Sequence, residues 1–134
     1  MAELEVAIGD IIIDCADPAS LASFWAELLG RPIAGSNSPY VWLEHSALAP
    51  GVGFQQVSPP KAGKNRVHLD LYASDVAAAK RRIEALGGRR VEGYESGGFL
   101  VMADPEGNEF CVLPSEPFEL DEQGRANYLD DTEL

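Results

Sequence analysis

Apolar and polar side chains alternate between residues 6 and 15. Ile11, Ile13 and Cys15 fall on one side, and Asp10, Ile12 and Asp14 on the other. This is the period of a half-buried strand rich in β-branched residues. The period changes at Asp17-Pro18, an N-cap residue followed by the imino acid best tolerated in a first helical turn. Leu21, Phe24, Trp25, Leu28 and Leu29 then recur at helical spacing, and Gly30 ends the run. Short strands fit Pro32–Ala34, Tyr40–Glu44 and Val52–Val57, separated by Gly, Ser, Asn and Pro turns.

The same succession returns about 58 residues later. Val67, Leu69 and Leu71 form one strand face, with His68, Asp70 and Tyr72 on the other. A helix is predicted over Asp75–Leu86, apolar through Val76, Ala79, Ile83 and Leu86 and basic outward at Lys80, Arg81 and Arg82. Strands fit Arg90–Glu92, Phe99–Ala103 and Glu109–Leu113; Gly97-Gly98 reads as a hairpin turn, and Asp104-Pro105-Glu106-Gly107-Asn108 as a tight turn. Ser58 to Asn65, with two prolines and a glycine, joins the halves. The order β-α-β-β-β occurs twice, which predicts an α+β fold of two modules, residues 6–58 and 66–114, within one domain spanning 1–134. Duplication relates Asp10 to His68 and predicts that the two converge on one site.

Composition narrows the function. The 46% apolar content supports a packed core, and no apolar run is long enough to cross a bilayer. The acidic start, Met1 to Glu5, has no basic signal-peptide region, so the expected location is cytoplasmic. A net charge of -12 argues against nucleic acid as a partner, because phosphate neutralisation needs a basic face. Residues 115–134 form an acidic tail, expected to be solvated or loosely docked, with Phe118, Leu120 and Tyr128 able to pin part of it down. Cys15 and Cys111 lie in apolar strands without a C-x-x-C pattern and are expected to be buried, reduced thiols.

Three stretches carry a resemblance: Asp14-Cys15-Ala16-Asp17-Pro18 with Phe24-Trp25 and Leu29-Gly30; His68 to Tyr72; and Asp104-Pro105-Glu106-Gly107-Asn108-Glu109-Phe110 before the last strand. Together they resemble the vicinal oxygen chelate superfamily of glyoxalases, bleomycin-resistance proteins and extradiol dioxygenases, and in particular its small actinobacterial-type glyoxalase-like members. The resemblance implies that the modules form an open, cup-like barrel with helices outside, and that the chain forms a homodimer. It also implies a divalent metal (Zn, Mn, Fe or Ni) held by first and last strands and acting as a Lewis acid on two adjacent substrate oxygens.

Carried onto this chain, the resemblance marks Asp10, His68 and Glu109 as metal ligands and catalytic residues. Asp10 and Cys111 depart from the pattern, which more often has His or Gln at the first position and Glu at the second. Glu109 shares the face of Cys111 but lies nearly 7 Å away along the strand. Asp14, Trp42, Gln55, Asp70, Tyr72 and Cys111 are expected to line the ligand site, with Gln55 rather than Gln56 facing inward. The same carboxylates could act as general bases or bind a cationic ligand stacked on Tyr40, Trp42 or Tyr72, and some could pair with Lys61, Lys64 or Arg66. His45, beside Glu44 and a loop, reads as a surface histidine. The expected function is a glyoxalase-like lyase or isomerase, less readily a dioxygenase. The alternative is a small-molecule binding protein of the bleomycin-resistance type with no cofactor.

Overall fold

The structure, a computed structural model, describes residues 5–47, 49–91, 100–115 and 118–128. The chain forms two compact units, residues 1–60 and 61–134, divided inside the Pro-rich joint. Each contains one βαβββ module.

The first module consists of β1 (Asp10–Cys15), α1 (Pro18–Leu29), β2 (Ile33–Asn37), β3 (Tyr40–Leu43) and β4 (Gly51–Gln56). Its sheet order is β1-β4-β3-β2, with β1 parallel to β4 and the other pairs antiparallel. Asp17 caps α1 by accepting the Ser20 N–H at 3.2 Å, and Gly30 leaves the helix at φ 66°, where a side chain would be strained. Leu21, Ala22, Phe24 and Trp25 are buried, as are Cys15, Val41, Leu43, Val52 and Phe54 on the strands. α1 packs on β3 and β4. Phe24 and Trp25 meet edge to face, their centroids 5.4 Å apart. Burying each of these large side chains contributes roughly 1.5–3 kcal/mol. The sheet therefore has a helix-covered face and an opposite, open face bearing Asp10, Ile12, Asp14, Tyr40 and Trp42.

The second module repeats the plan with β5 (Asp70–Ala73), α2 (Val76–Ala85), β6 (Arg89–Arg90), β7 (Leu100–Ala103) and β8 (Glu109–Pro114), in the order β5-β8-β7-β6. Again the first and last strands pair in parallel. Asp75 caps α2 by accepting the Ala78 N–H at 2.9 Å. Ile83 of α2 and Leu100, Met102, Phe110 and Val112 of the strands form the buried layer. Gly88 is required there: a Cβ would stand 2.5 Å from Ile83 Cγ2 and 2.8 Å from the Ala103 carbonyl oxygen. The repeat extends to register. Ile12 pairs with Gly53 and Asp70 with Cys111, and 58 residues separate both related pairs.

Most predicted elements stand within a residue or two of their expected limits. β5 begins at Asp70, however, so Val67 and His68 precede the strand. The expected hairpin at Gly97-Gly98, together with Glu92 and Phe99, lies outside the described residues. The tail is more ordered than its charge implies: β9 (Phe118–Leu120) pairs antiparallel with β10 (Ala126–Tyr128). Asp121 holds their turn, accepting N–H groups of Gln123 at 2.9 Å and Arg125 at 2.8 Å and pairing with the Arg125 guanidinium at 2.7 Å. Leu120 is exposed rather than docked. Cys15 and Cys111 are buried, and the Cys15 thiol donates to the Gln55 carbonyl at 3.6 Å. Among the described residues no helix is long and apolar enough to cross a membrane.

Candidate functional site

The open face of the first module is floored by glycine. Gly51 and Gly53 on β4 and Gly35 on β2 lie beneath larger neighbours: a Cβ on Gly53 would stand 2.9 Å from Ile12 Cδ1, and one on Gly35 would stand 2.9 Å from the Trp42 ring. The missing side chains let Ile12 and the Trp42 indole lie across the sheet, both still partly exposed to solvent. Gln55, in register with Asp14 and Tyr40, occupies the next row of this face. Gln56 donates instead to the Ala16 carbonyl at 3.3 Å. A cavity of about 580 Å³ at the start of α1, bordered by Ala16, Asp17, Ser36, Ser38 and Gln56, has no His or Cys among its lining residues.

Asp10 is not a free carboxylate. Its Oδ1 lies 3.0 Å from His45 Nε2. Gly51, paired with Asp10, makes the space: a Cβ there would stand 1.9 Å from Asp10 Oδ1 and 2.6 Å from His45 Nε2. His45 is thus a surface residue with a specific partner, and the sequence reading missed the partnership. The usable signal was register. β3 and β4 run antiparallel with Trp42 opposite Gly53, so the chain leaving β3 passes Gly51, where no side chain blocks it.

On the second module, His68 Nε2 lies 3.3 Å from Asp70 Oδ1, and both side chains are about half exposed. Cys111 faces them from the paired strand. The ligand atoms of His68, Asp70 and Cys111 all lie within 4.8 Å of one another. Burial, then the neighbouring Asp70 carboxylate, pushes the Cys111 thiol up to about 11, with Lys64 acting in the opposite direction. Near neutrality the thiol keeps its proton. On the same face, Val101 and Leu113 form a buried apolar cluster with Cys111, and Val91 packs against it. Tyr72, next on the same face of β5, is exposed.

Glu109 is committed elsewhere. One carboxylate oxygen accepts the Asn65 N–H at 3.0 Å and the other accepts Lys61 Nζ at 3.2 Å. Asn65 Oδ1 in return accepts the Glu109 N–H at 3.1 Å, and Asn65 Nδ2 donates to Asn108 Oδ1 at 3.0 Å. Asn108 is fixed by the buried Asp104 carboxylate, which accepts its side-chain amide at 2.9 Å. Burial alone would push the Glu109 carboxyl up. The N–H groups of Asn65 and of Glu109 itself, together with the Lys61 ammonium, outweigh burial and hold it below the usual range. This pairing realises one of the expected lysine contacts, and it ties the joint between the halves to β8.

His68, Asp70 and Cys111 are chemically suited to a divalent metal. Tetrahedral zinc bonds of about 2.0–2.3 Å place ligand atoms roughly 3.3–3.8 Å apart. The His68–Asp70 separation of 3.3 Å already meets this. The three ligand atoms lie within 4.8 Å of one another, so a bound ion would require them to close by about 1 Å. Asp10 and Glu109, expected as ligands, instead have His45 and Lys61–Asn65 as partners.

Residues 10–113 match the model of a glyoxalase-like domain. No curated protein matches the sequence. The fold is similar to that of a glyoxalase/bleomycin resistance protein/dioxygenase family enzyme from Burkholderia phytofirmans, at 16% identity and a TM-score of 0.63 over 80% of this chain and 97% of that one. A glyoxalase-related enzyme from Fulvimarina pelagi has 15% identity and a TM-score of 0.64, over 92% of this chain and 99% of the other. The trypanothione-dependent glyoxalase I of Leishmania major has 16% identity and a TM-score of 0.65, over 84% and 88%.

Proposed function

The chain belongs to the glyoxalase-like domain family, and from that premise we propose that it is a small-molecule lyase or isomerase assisted by a divalent metal. One observation supports this reading above others: each module pairs a histidine with an aspartate, at 3.0 Å in the first and 3.3 Å in the second, and among the described residues only the second pair has a thiol beside it. The second group has the donors of a metal site; the first has those of a proton-transfer pair.

His68, Asp70 and Cys111 would hold the metal. When bound, it would polarise a substrate carbonyl or hydroxyl oxygen and acidify the adjoining C–H group. The chain supplies the remainder. On the first module the Asp10 carboxylate lies 3.0 Å from His45 Nε2 and orients that ring. Val101, Leu113 and Val91 exclude water from one side of Cys111. Glu109, held ionised by Asn65 and Lys61, is a poor proton acceptor and keeps the joint in place.

The test is solvent exchange. Zinc-loaded protein is incubated in D₂O with a panel of α-hydroxycarbonyl compounds, and deuterium at the carbon beside the carbonyl is followed by NMR. Exchange should require metal and should fall by about 10-fold or more in His68→Gln. Exchange that is unchanged in His68→Gln and without metal would refute the assignment.

A second reading is a metal-free binding protein. It is favoured by Trp42, Tyr40 and Ile12, which stand 39%, 43% and 47% exposed around a glycine floor, an arrangement suited to stacking a flat ligand beside the acids Asp10 and Asp14. A cationic aromatic compound that raises the melting temperature equally in metal-loaded and chelator-treated protein, with no exchange of any substrate, would select it.

A further inference from the structure

We propose that the second module holds its metal alone, through a thiolate: His68 Nε2, one Asp70 oxygen and Cys111 Sγ bind a single ion of the zinc class, with a fourth position left open. The inference rests on the metal-assisted reading above and deepens it, specifying thiolate ligation and a zinc-class ion at a site complete in residues 61–134.

Three observations carry it. First, the donors come from backbone with little freedom to rearrange: Asp70 pairs directly with Cys111 across β5 and β8, His68 lies two residues before Asp70, and Cys111 N–H is hydrogen-bonded to the Leu69 carbonyl at 2.9 Å. Second, the donor set selects the metal. An imidazole, a carboxylate and a thiolate suit Zn²⁺ or Co²⁺, whereas Mg²⁺ and Mn²⁺ favour oxygen ligands. Three protein ligands and an open position form the pattern of catalytic rather than structural zinc. The imidazole stays neutral while the carboxylate and thiolate cancel the ion's charge. As the metal–sulfur bond forms, Sγ gives its proton to water and the ion gives up a bound water.

Third, the internal repeat supplies a control. The residues of the first module related to His68, Asp70 and Cys111 are Asp10, Ile12 and Gly53. They offer one donor, and that donor is taken by His45. The same backbone register therefore carries a three-ligand group in one module and no comparable group in the other, among the described residues. The apolar packing of Val101 and Leu113 around Cys111 further limits competition from water.

Chelator-treated full-length protein is titrated with Co²⁺, and its absorption spectrum is followed. The expected result is one equivalent bound, with tetrahedral visible bands and an intense near-ultraviolet band from thiolate-to-metal charge transfer. Zn²⁺ should bleach both. Cys111→Ser should lose the near-ultraviolet band and bind Co²⁺ at least about tenfold more weakly, while Cys15→Ser should keep the wild-type spectrum. Circular dichroism establishes that Cys111→Ser is folded; Asp70→Asn, which leaves the thiol in place, should keep the sulfur band and also bind more weakly. Tight Co²⁺ binding without a sulfur band would overturn the thiolate site and leave the metal-assisted reading standing. No Co²⁺ binding would overturn both.

Discussion

Gly53 lies opposite Ile12 in the first module, and Cys111 lies opposite Asp70 in the second. These pairs are the same place in a repeated backbone, yet one is apolar and open while the other gathers ligands. The helix-covered faces show no such divergence: both bury large apolar side chains against a four-stranded sheet. The contrast separates two demands on one repeat. Packing fixes the strand order and the covered face in both halves, because each must bury one amphipathic helix. The opposite faces differ: the second module buries Val101, Cys111 and Leu113 there, while the first leaves Tyr40 and Trp42 exposed.

The covered faces, where the halves agree, should respond alike and most strongly. Trp25→Ala should cost about 3–5 kcal/mol and Ile83→Ala about 2–5 kcal/mol in denaturant unfolding, since both side chains are almost wholly buried. Near-zero loss for either would remove that module's helix from the core.

The open faces should respond unequally to exchanging their related residues. Cys111→Gly leaves a hole beside Val101 and Leu113 and should destabilise by about 1–3 kcal/mol. Gly53→Cys has only the exposed tip of Ile12 to displace, at 2.9 Å, and should cost less than about 1 kcal/mol. Equal costs would mean that the two faces are equally packed.

Titration sharpens the contrast further. The unfolded Cys111 thiol ionises near 9.0 and the folded one near 11, so between these values the unfolded state has lost a proton that the folded state keeps. Metal-free protein should therefore lose stability as pH rises from about 9 to about 11, by at most about 2–3 kcal/mol, and Cys111→Ser should abolish that loss. At the acid end the sign reverses. Glu109 is held below its ordinary value, so its stabilisation is present above that value and is lost as pH falls through the folded pKa. Lys61→Met should move the acid unfolding midpoint upward by a fraction of a pH unit.

The smallest stability effect is expected at Gly51. Alanine there must push aside Asp10 and His45, both exposed side-chain ends, at a cost under about 1 kcal/mol. The His45 ring resonances should nevertheless shift markedly, because the pair is broken.

The two-module fold was legible because its signals are local: the Asp17-Pro18 start, the Gly30 stop, alternation in the first strand, and their return about 58 residues later. The roles of individual acids were less legible. Asp10 and Glu109 occupy expected positions, but their partners come from the β3–β4 connection and the joint between modules, where no periodicity predicts side-chain contacts. Asp70 and Cys111 were assigned to the ligand site separately; their direct pairing depends on β5–β8 register, which alternation alone leaves open by two residues in either direction. The tail hairpin was hidden by its charge, since Asp121 serves the turn through backbone N–H groups that composition does not reveal.

The most direct test is X-ray absorption at the zinc edge of protein loaded with one equivalent of Zn²⁺. A single sulfur neighbour at about 2.3 Å, with nitrogen and oxygen neighbours near 2.0–2.2 Å, is the predicted shell. A shell of nitrogen and oxygen alone would place the ion away from Cys111 and contradict the division of chemistry between the two modules.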